Sequence, residues 1–392
     1  MSEFDVIVVG LGLAGAASSI ALAQRGARVL ALEGGSFPRR KVCGEFLSFE
    51  SRATLERLQV LENVLASGAR DVQSTRIFAP HQAQRKRQIR PVEAALPAPG
   101  LAVSRWELDR ILFERAIEAG VQVEQNARVG HVEAPSAGCE SWKVRVGQRE
   151  FASKSLLATA GRSAAWWEKD AGEGQSARFV GLKAHFEGAD VEEGVTELHA
   201  WAGGYCGLGR VEGEATNACL LTSYDSLQGR APEQFWDELL SKMPTLARRM
   251  RRATRLRPWI ATANVLFRSP TPLRRLAAPG AAPSTCGASQ VMCAGDAAGF
   301  IHPLTGDGMA MALRGGELAA ATIEAALQNN WSSEELHPLW SRVWKREFSG
   351  RLKWSGVLQA ALIEPRLSRL ALPLFLSAPG VAQLAIRRTR GN

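Results

Sequence analysis

The chain lacks most of what would mark a metalloprotein, a secreted protein or a membrane-spanning one. Its six cysteines (Cys43, Cys139, Cys206, Cys219, Cys286 and Cys293) include no CxxC pair. That pattern suits neither an iron–sulfur cluster nor a zinc site, and it suggests no disulfide framework. No stretch reaches about 18 uninterrupted apolar residues, so no transmembrane helix is predicted. No signal-like segment precedes the first predicted strand, and a reduced, cytoplasmic setting is expected. There is no internal repeat, no cluster of side chains at metal-ligand spacing and no nucleic-acid motif, so neither a metal nor nucleic acid is an expected partner.

What is present is ordinary globular material with a basic balance. The 392 residues are 46% hydrophobic and 22% charged, long enough for two domains, in series or interleaved. The net charge is +9, from 48 Lys and Arg against 39 Asp and Glu. The basic residues gather at Arg85-Lys86-Arg87, at Arg248-Arg249-Met250-Arg251-Arg252 with Arg255 and Arg257, and at Arg387-Arg388 with Arg390. These read first as solvated faces. Attraction to an anionic membrane surface, a carrier protein or an acidic substrate is the sharper alternative.

The most informative stretch runs from Phe4 to Glu33. Val6 to Val9 read as a buried parallel strand. Gly10, Gly12 and Gly15 then turn the chain into a helix from about Leu13, through Ala14, to Gln24. The first glycine allows the turn, the second lets backbone approach a pyrophosphate, and the third lets the helix pack on the strand. The helix N-terminus offers N–H groups and partial positive charge to phosphates. Gly26 stops the helix, Ala27–Leu32 forms a second strand, and Glu33 stands at its end, where it accepts from ribose hydroxyls. Only one such dinucleotide fingerprint is present.

Further on, Pro38-Arg39-Arg40-Lys41-Val42-Cys43-Gly44 reads as a loop wrapping an anionic or polar ligand. A helix is expected from about Glu50 to Leu65, and short strands over 72–100. Ser104 is a plausible cap for a helix with Glu107 at capping-box spacing, ended by Gly120. Segments 128–133 and 142–146 alternate like antiparallel strands, and Ser155–Arg162 is a buried strand ending in the turn at Gly161. Residues 178–260 are β-rich, interrupted by one helix near Pro232 to Leu246. A second glycine-rich motif runs from Gly295-Asp296-Ala297-Ala298-Gly299 through Pro303 to Gly306-Asp307-Gly308-Met309, opening a helix to about Leu327. The tail from about Trp331 is helical, aromatic and basic. Its helices are expected to cover the core, with membrane contact or a lipophilic substrate's way in as the alternative.

These stretches resemble the flavoprotein group of p-hydroxybenzoate-hydroxylase-like monooxygenases and geranylgeranyl reductases. The resemblance implies an α/β fold, a glutathione-reductase-like, Rossmann-type FAD-binding domain with an inserted β-sheet substrate domain and C-terminal helices. The expected division is 1–72, 101–177 and 276–330 for the discontinuous FAD domain, 73–100 and 178–275 for the substrate domain, and 331–392 for the helical region. The family pattern places the Arg40–Gly44 loop beside the flavin, Arg105 at the start of the helix returning to the FAD domain, and Asp296 at the ribityl and pyrophosphate groups. It places the N–H groups of the Gly306–Met309 turn by the flavin O2, where charge on the reduced ring suits a helix N-terminus. Val129, with Gly161, completes the implied FAD contacts. Ala160 departs from the family, which commonly has an aspartate before that glycine.

Cys43 and His302 are the candidate catalytic residues. A thiolate at Cys43 is favoured by neighbouring Arg40 and Lys41, and His302 is expected near the flavin ring as a group able to exchange a proton; a small packing residue and a structural histidine are the plain alternatives. Trp201 and Tyr205 are candidates for an apolar substrate pocket, which marks the substrate as a lipophilic small molecule. The stretch Gly203–Arg210 lacks the aromatic-plus-proline ending usual in the reductases. The reading is therefore an FAD-dependent monooxygenase that hydroxylates or epoxidises an aromatic or prenylated molecule, with NAD(P)H as electron donor. A reductase of isoprenoid double bonds is the runner-up. A halogenase ranks lower because no Trp-x-Trp-x-Ile-Pro segment occurs, and a non-catalytic prenyl-binding protein ranks lower still. The sequence leaves the oligomeric state open.

Overall fold

The computed structural model describes residues 3–78, 91–136, 140–161, 166–167, 179–201, 203–265, 270–277 and 290–363. The β-branched run forms the strand Phe4–Val9 at the centre of a sheet. Its order is Leu273–Arg275, Gln290–Cys293, Arg149–Ala158, Phe4–Val9, Val29–Leu32, Gln122–Glu124. The strands from Gln290–Cys293 to Gln122–Glu124 run parallel, while His131–Glu133 and Trp142–Val146 extend one side antiparallel. Parallel strands buried on both faces need apolar residues throughout, which explains the unbroken run in the sequence.

The helix Leu13–Ala23 is buried from Leu13 to Leu22 and packs against the helix Gly308–Asn329. The two approach closely because a Cβ on Gly316 would overlap the Ala14 carbonyl. Trp340, Trp344 and Phe348 of the helix Ser333–Ile363 are buried in the same core. Trp340 donates its indole N–H to Pro272 O and Cys293 O at 3.1 Å each, so these tail aromatics cover the core as expected.

The second sheet runs Thr254–Arg255, Phe179–Glu187, Ala215–Ser223, Gly204–Arg210, Val195–Trp201, Arg70–Phe78, Val92–Ala102, Phe46–Leu47, with Ile260–Val265 also paired to Phe179–Glu187. Side chains alternate between its faces. Val180, Leu182, Ala184 and Phe186 pack with Phe235, Trp236, Leu246 and Met250 of the helices Pro232–Lys242 and Pro244–Met250. Leu198, Ala200, Tyr205, Leu221 and Val265 form the other face, together with Phe300 and Leu304.

Several elements differ from the sequence reading. The helix expected from Glu50 is two, Ser51–Arg57 and Leu61–Ala66, with Gln59 between them at φ 60°. The helix expected near Pro232 also divides, at Met243, because the residue before Pro244 is disfavoured in the helical region. Two long strands, not short ones, occupy Arg70–Phe78 and Val92–Ala102. Phe46–Leu47 joins the second sheet and Leu273–Arg275 the first, each on the opposite side of the expected division. At Ser104 half of the capping box forms: its hydroxyl accepts from the Glu107 N–H at 3.2 Å. The Ser104 N–H donates instead to Glu212, at 2.8 Å.

Candidate functional site

Two adjoining cavities, of about 540 and 370 Å3, share Gly12, Lys41, Thr159 and Ala160. The smaller is lined by Gly10, Glu33, Arg39, Val129 and their neighbours at the carboxyl ends of the parallel strands. Gly10 sits at φ 95°, and a Cβ there would meet Thr159 O at 2.7 Å. A Cβ on Gly15 would overlap Gly10 O, whereas one on Gly12 would meet only Lys41 Nζ, at 3.8 Å. Gly10, at positive φ, allows the turn and Gly15 the close helix–strand packing, while Gly12 leaves backbone open to the cavity. No side chain caps the helix Leu13–Ala23, and its first turn carries no acid.

Glu33 accepts from the Leu11 N–H at 2.9 Å and the Gly35 N–H at 3.0 Å. Arg39 grips it bidentately at 2.6 and 2.8 Å. Burial alone would raise this carboxyl, but the Arg39 hydrogen bonds and charge, with the two N–H groups, hold it below the usual range. Burial, reinforced by the charges of Arg105 and Arg39, pushes the Lys41 ammonium down to about 8.

The larger cavity is lined by Leu13, Ala14, Arg40, Lys41, Cys43, Gly44, Arg105, Gly161, Gly295, Asp296, Gly306, Gly308 and Met309. The sequence reading gathers all of these into one site, and the fold does bring them together. Of its proposed cofactor contacts, Gly10, Glu33 and Val129 line the smaller cavity, and Gly15 alone lines neither, lying in the helix–strand contact. Two helix N-termini converge here, since the turn before Gly308–Asn329 also has no side-chain cap. Gly295, at φ 63°, approaches Ala14 so closely that a Cβ would stand 2.8 Å from the Ala14 Cβ.

Cys43 lines the cavity, with its Sγ 3.2 Å from Met309 Sδ and 3.5 Å from the Glu45 N–H. Its carbonyl accepts from Asn217 Nδ2 at 3.0 Å. Arg105 is buried and held by Asp109 at 2.8 and 2.9 Å. Burial opposes its charge, but Asp109 and the Cys43 sulfur keep the guanidinium firmly protonated. Next to Cys43 stands Glu45, fully buried and at φ 56°. Its carboxylate accepts from Lys183 Nζ, from His185 Nε2 at 2.6 Å and from the Arg105 N–H at 2.6 Å. Burial would raise this carboxyl, yet His185 and Lys183 hold it below the usual range. Sequence reasoning missed this cluster, since its members stand some 140 residues apart in the chain. It also missed Arg351, which reaches from the last helix to Asp307 at 3.3 Å, behind the Gly306–Gly308 turn.

Tyr205 and Leu221 wall the larger cavity, with Val265, Phe300 and Ile301. Burial pushes the Tyr205 phenol well above its ordinary range, so it stays neutral. Trp201 is a correction. It pairs with Gly204, while Tyr205 pairs with Ala200, so the two aromatic side chains point to opposite faces. Trp201 packs against Phe235 under the helices, ring centroids 6.4 Å apart. His302 is a second correction. Phe300, Ile301 and Pro303 line the cavity, but His302 does not. Its Nε2 lies 3.8 Å from where a Cβ on Gly356 of the last helix would stand.

The family described as FAD binding domain matches residues 3–338. The chain belongs to this FAD-binding family. The cradle fits FAD on its own terms: bare helix N-termini, the open face of Gly12 below Lys41, and a carboxylate ending the second strand are what a diphosphate and a ribose require. Among relatives, the chain is 25% identical to the menaquinone reductase of Mycolicibacterium smegmatis, covering 98% of this chain and 90% of that one. It is 27% identical to digeranylgeranylglycerophospholipid reductase 2 of Methanopyrus kandleri, covering 96% and 90%. The flavin-dependent brominase Bmp2 shares the fold with a TM-score of 0.77 at 18% identity, covering 98% and 93%. A geranylgeranyl bacteriochlorophyll reductase-like protein from Thermoplasma acidophilum does so with a TM-score of 0.73 at 20% identity, covering 98% and 95%. This FAD-dependent oxidoreductase family membership is the resemblance expected from the motifs. No helix among the described residues is long and apolar enough to cross a membrane.

Proposed function

We propose that this FAD-dependent oxidoreductase saturates a carbon–carbon double bond of a lipophilic, isoprenoid-bearing substrate, with NAD(P)H as electron donor. The observation that carries the reading is the larger cavity. It joins the two helix N-termini and the Cys43 loop to the apolar wall of Tyr205, Leu221, Val265 and Phe300. The second sheet is thereby the substrate-bearing layer. Both full-length relatives cited are reductases, one named for a quinone and one for a digeranylgeranyl lipid. This moves the reductase ahead of the monooxygenase expected from the sequence.

FAD, when bound, supplies the hydride chemistry. The chain's own residues do the rest. Lys41 and the N-terminus at Leu13 hold the diphosphate, and the Gly308 N-terminus faces negative charge. The apolar wall excludes water and orients the substrate. Saturating a double bond adds one hydride and one proton. Cys43 Sγ is the group placed to hold that proton, with Arg105 beside it.

The absence of the aromatic-plus-proline ending after Tyr205 favours the second reading, a monooxygenase acting on the same substrate class. The fold of the brominase leaves halogenation as a third outcome. The deciding experiment presents a geranylgeranyl lipid to the FAD-loaded protein, reduced with dithionite, under strict anaerobiosis. A product heavier by two hydrogens supports the reductase. Product that forms only with oxygen and carries an added oxygen atom, or that requires halide, sinks it. The basic stretch from Arg248 to Arg257 would then meet the anionic surface on which such a substrate resides; sedimentation with anionic vesicles, absent with neutral ones, tests that contact.

A further inference from the structure

Glu45 lies beside the cavity but contributes no atom that the chemistry above uses, and its surroundings are costly. A non-glycine residue at φ 56° is disfavoured by its own Cβ. A fully buried carboxylate is disfavoured unless partnered. Both are tolerated because three donors from two separate elements converge on it. Lys183 and His185 reach it from one strand of the second sheet, and the Arg105 N–H from the helix Arg105–Glu118. Lys183 also donates to the Lys41 carbonyl at 3.3 Å, and Asn217 holds the Cys43 carbonyl. The loop carrying Lys41 and Cys43 is thus fastened to the sheet that walls the cavity, at the residue two places after the thiol.

We propose that Glu45 is a positioning residue: its carboxylate, gathered by Lys183, His185 and the Arg105 N–H, locks the loop so that the Cys43 thiol faces the cavity. This rests on the reading that Cys43 acts at the cavity. Removing the carboxylate leaves the buried Lys183 ammonium with no counter-charge from Glu45 and only the Lys41 carbonyl to donate to, so the loop should open locally while the rest of the fold stays closed.

The test is iodoacetamide alkylation of the FAD-loaded protein, followed cysteine by cysteine by peptide mass spectrometry. In Glu45→Gln and Glu45→Gly, Cys43 should react roughly tenfold faster, as expected for a local opening. The buried Cys206 and Cys293 should keep their wild-type rates. The glycine variant separates carboxylate from backbone, since glycine adopts this φ without cost. His185→Gln, which keeps a donor, should restore the slow Cys43 rate that His185→Leu loses. Cys43 rates within about twofold of wild type in both Glu45 variants overturn the proposal, as does acceleration of every cysteine together, which would mark global loosening. Failure of the underlying reading shows elsewhere: Cys43→Ala would retain full turnover while the alkylation pattern of the Glu45 variants stood.

Discussion

The parallel sheet presents backbone to the site, whereas the antiparallel sheet presents side chains. At Phe4–Val9 and Gln290–Cys293 the strands end in glycine turns whose N–H groups and bare Cα atoms line the cavities. At Tyr205 and Leu221, paired residues of neighbouring strands stand over the larger cavity. Backbone contacts tolerate almost no added volume, because they exist through close approach. Side-chain contacts are replaceable at the expense of shape. The difference shows why cofactor and substrate specificity can vary separately within one fold.

Mutations break or sharpen that contrast. The largest effect is expected at Gly15→Val, whose Cβ would overlap Gly10 O. It should destabilise the chain by more than about 3 kcal/mol, read as a collapse of the urea midpoint. Next come Tyr205→Ala, expected to cost about 3 kcal/mol as a buried large-to-small change, and Trp201→Ala, expected to cost less because its ring is only half-buried. Only Tyr205→Ala should alter KM for the lipophilic substrate proposed above. A KM change in Trp201→Ala with none in Tyr205→Ala would reverse the assignment of faces. Gly12→Val should leave the FAD-free fold intact but weaken FAD binding roughly a hundredfold, about 2.7 kcal/mol; a variant that retains full yellow colour refutes the cradle.

Lys41 gives the pH test. Its folded pKa of about 8 lies below the ordinary 10.5, so between those values the unfolded chain binds more protons than the folded one. Stability of the FAD-free protein should therefore rise with pH across that window relative to Lys41→Met. FAD binding has the opposite sign, since a diphosphate favours the charged ammonium. Wild-type affinity should fall as pH rises through 8 while Lys41→Met stays flat, as measured by equilibrium dialysis; parallel curves would remove Lys41 from the phosphate site. The smallest effect is Ser104→Ala, which loses its helix cap and about 1 kcal/mol of stability with FAD content unchanged.

Legibility followed the same divide. Gly10, Gly12, Gly15 and Glu33 are readable because one strand–turn–helix unit carries them, so spacing along the chain is spacing in the site. The Gly295–Met309 motif is readable because it opens a helix in the same way. Trp201 misleads because the turn at Gly203 shifts the strand alternation between it and Tyr205, so that only Tyr205 reaches the cavity. His302 misleads because a side chain's direction within an irregular turn depends on what packs behind it, here the last helix.

The order of glycines, strands and terminal acid in this chain determines by itself a Rossmann-type dinucleotide cradle, since each requirement is local: a turn, a close approach, an uncapped helix end; the second motif, Gly295–Met309, narrows the expectation to FAD. Only the tertiary structure decided the other side of the site. It placed Tyr205 in the cavity and Trp201 under the helices, and it brought Glu45, Lys183 and His185 into one buried cluster. Those outcomes depend on strand register and on contacts between distant segments, which no stretch of sequence carries alone.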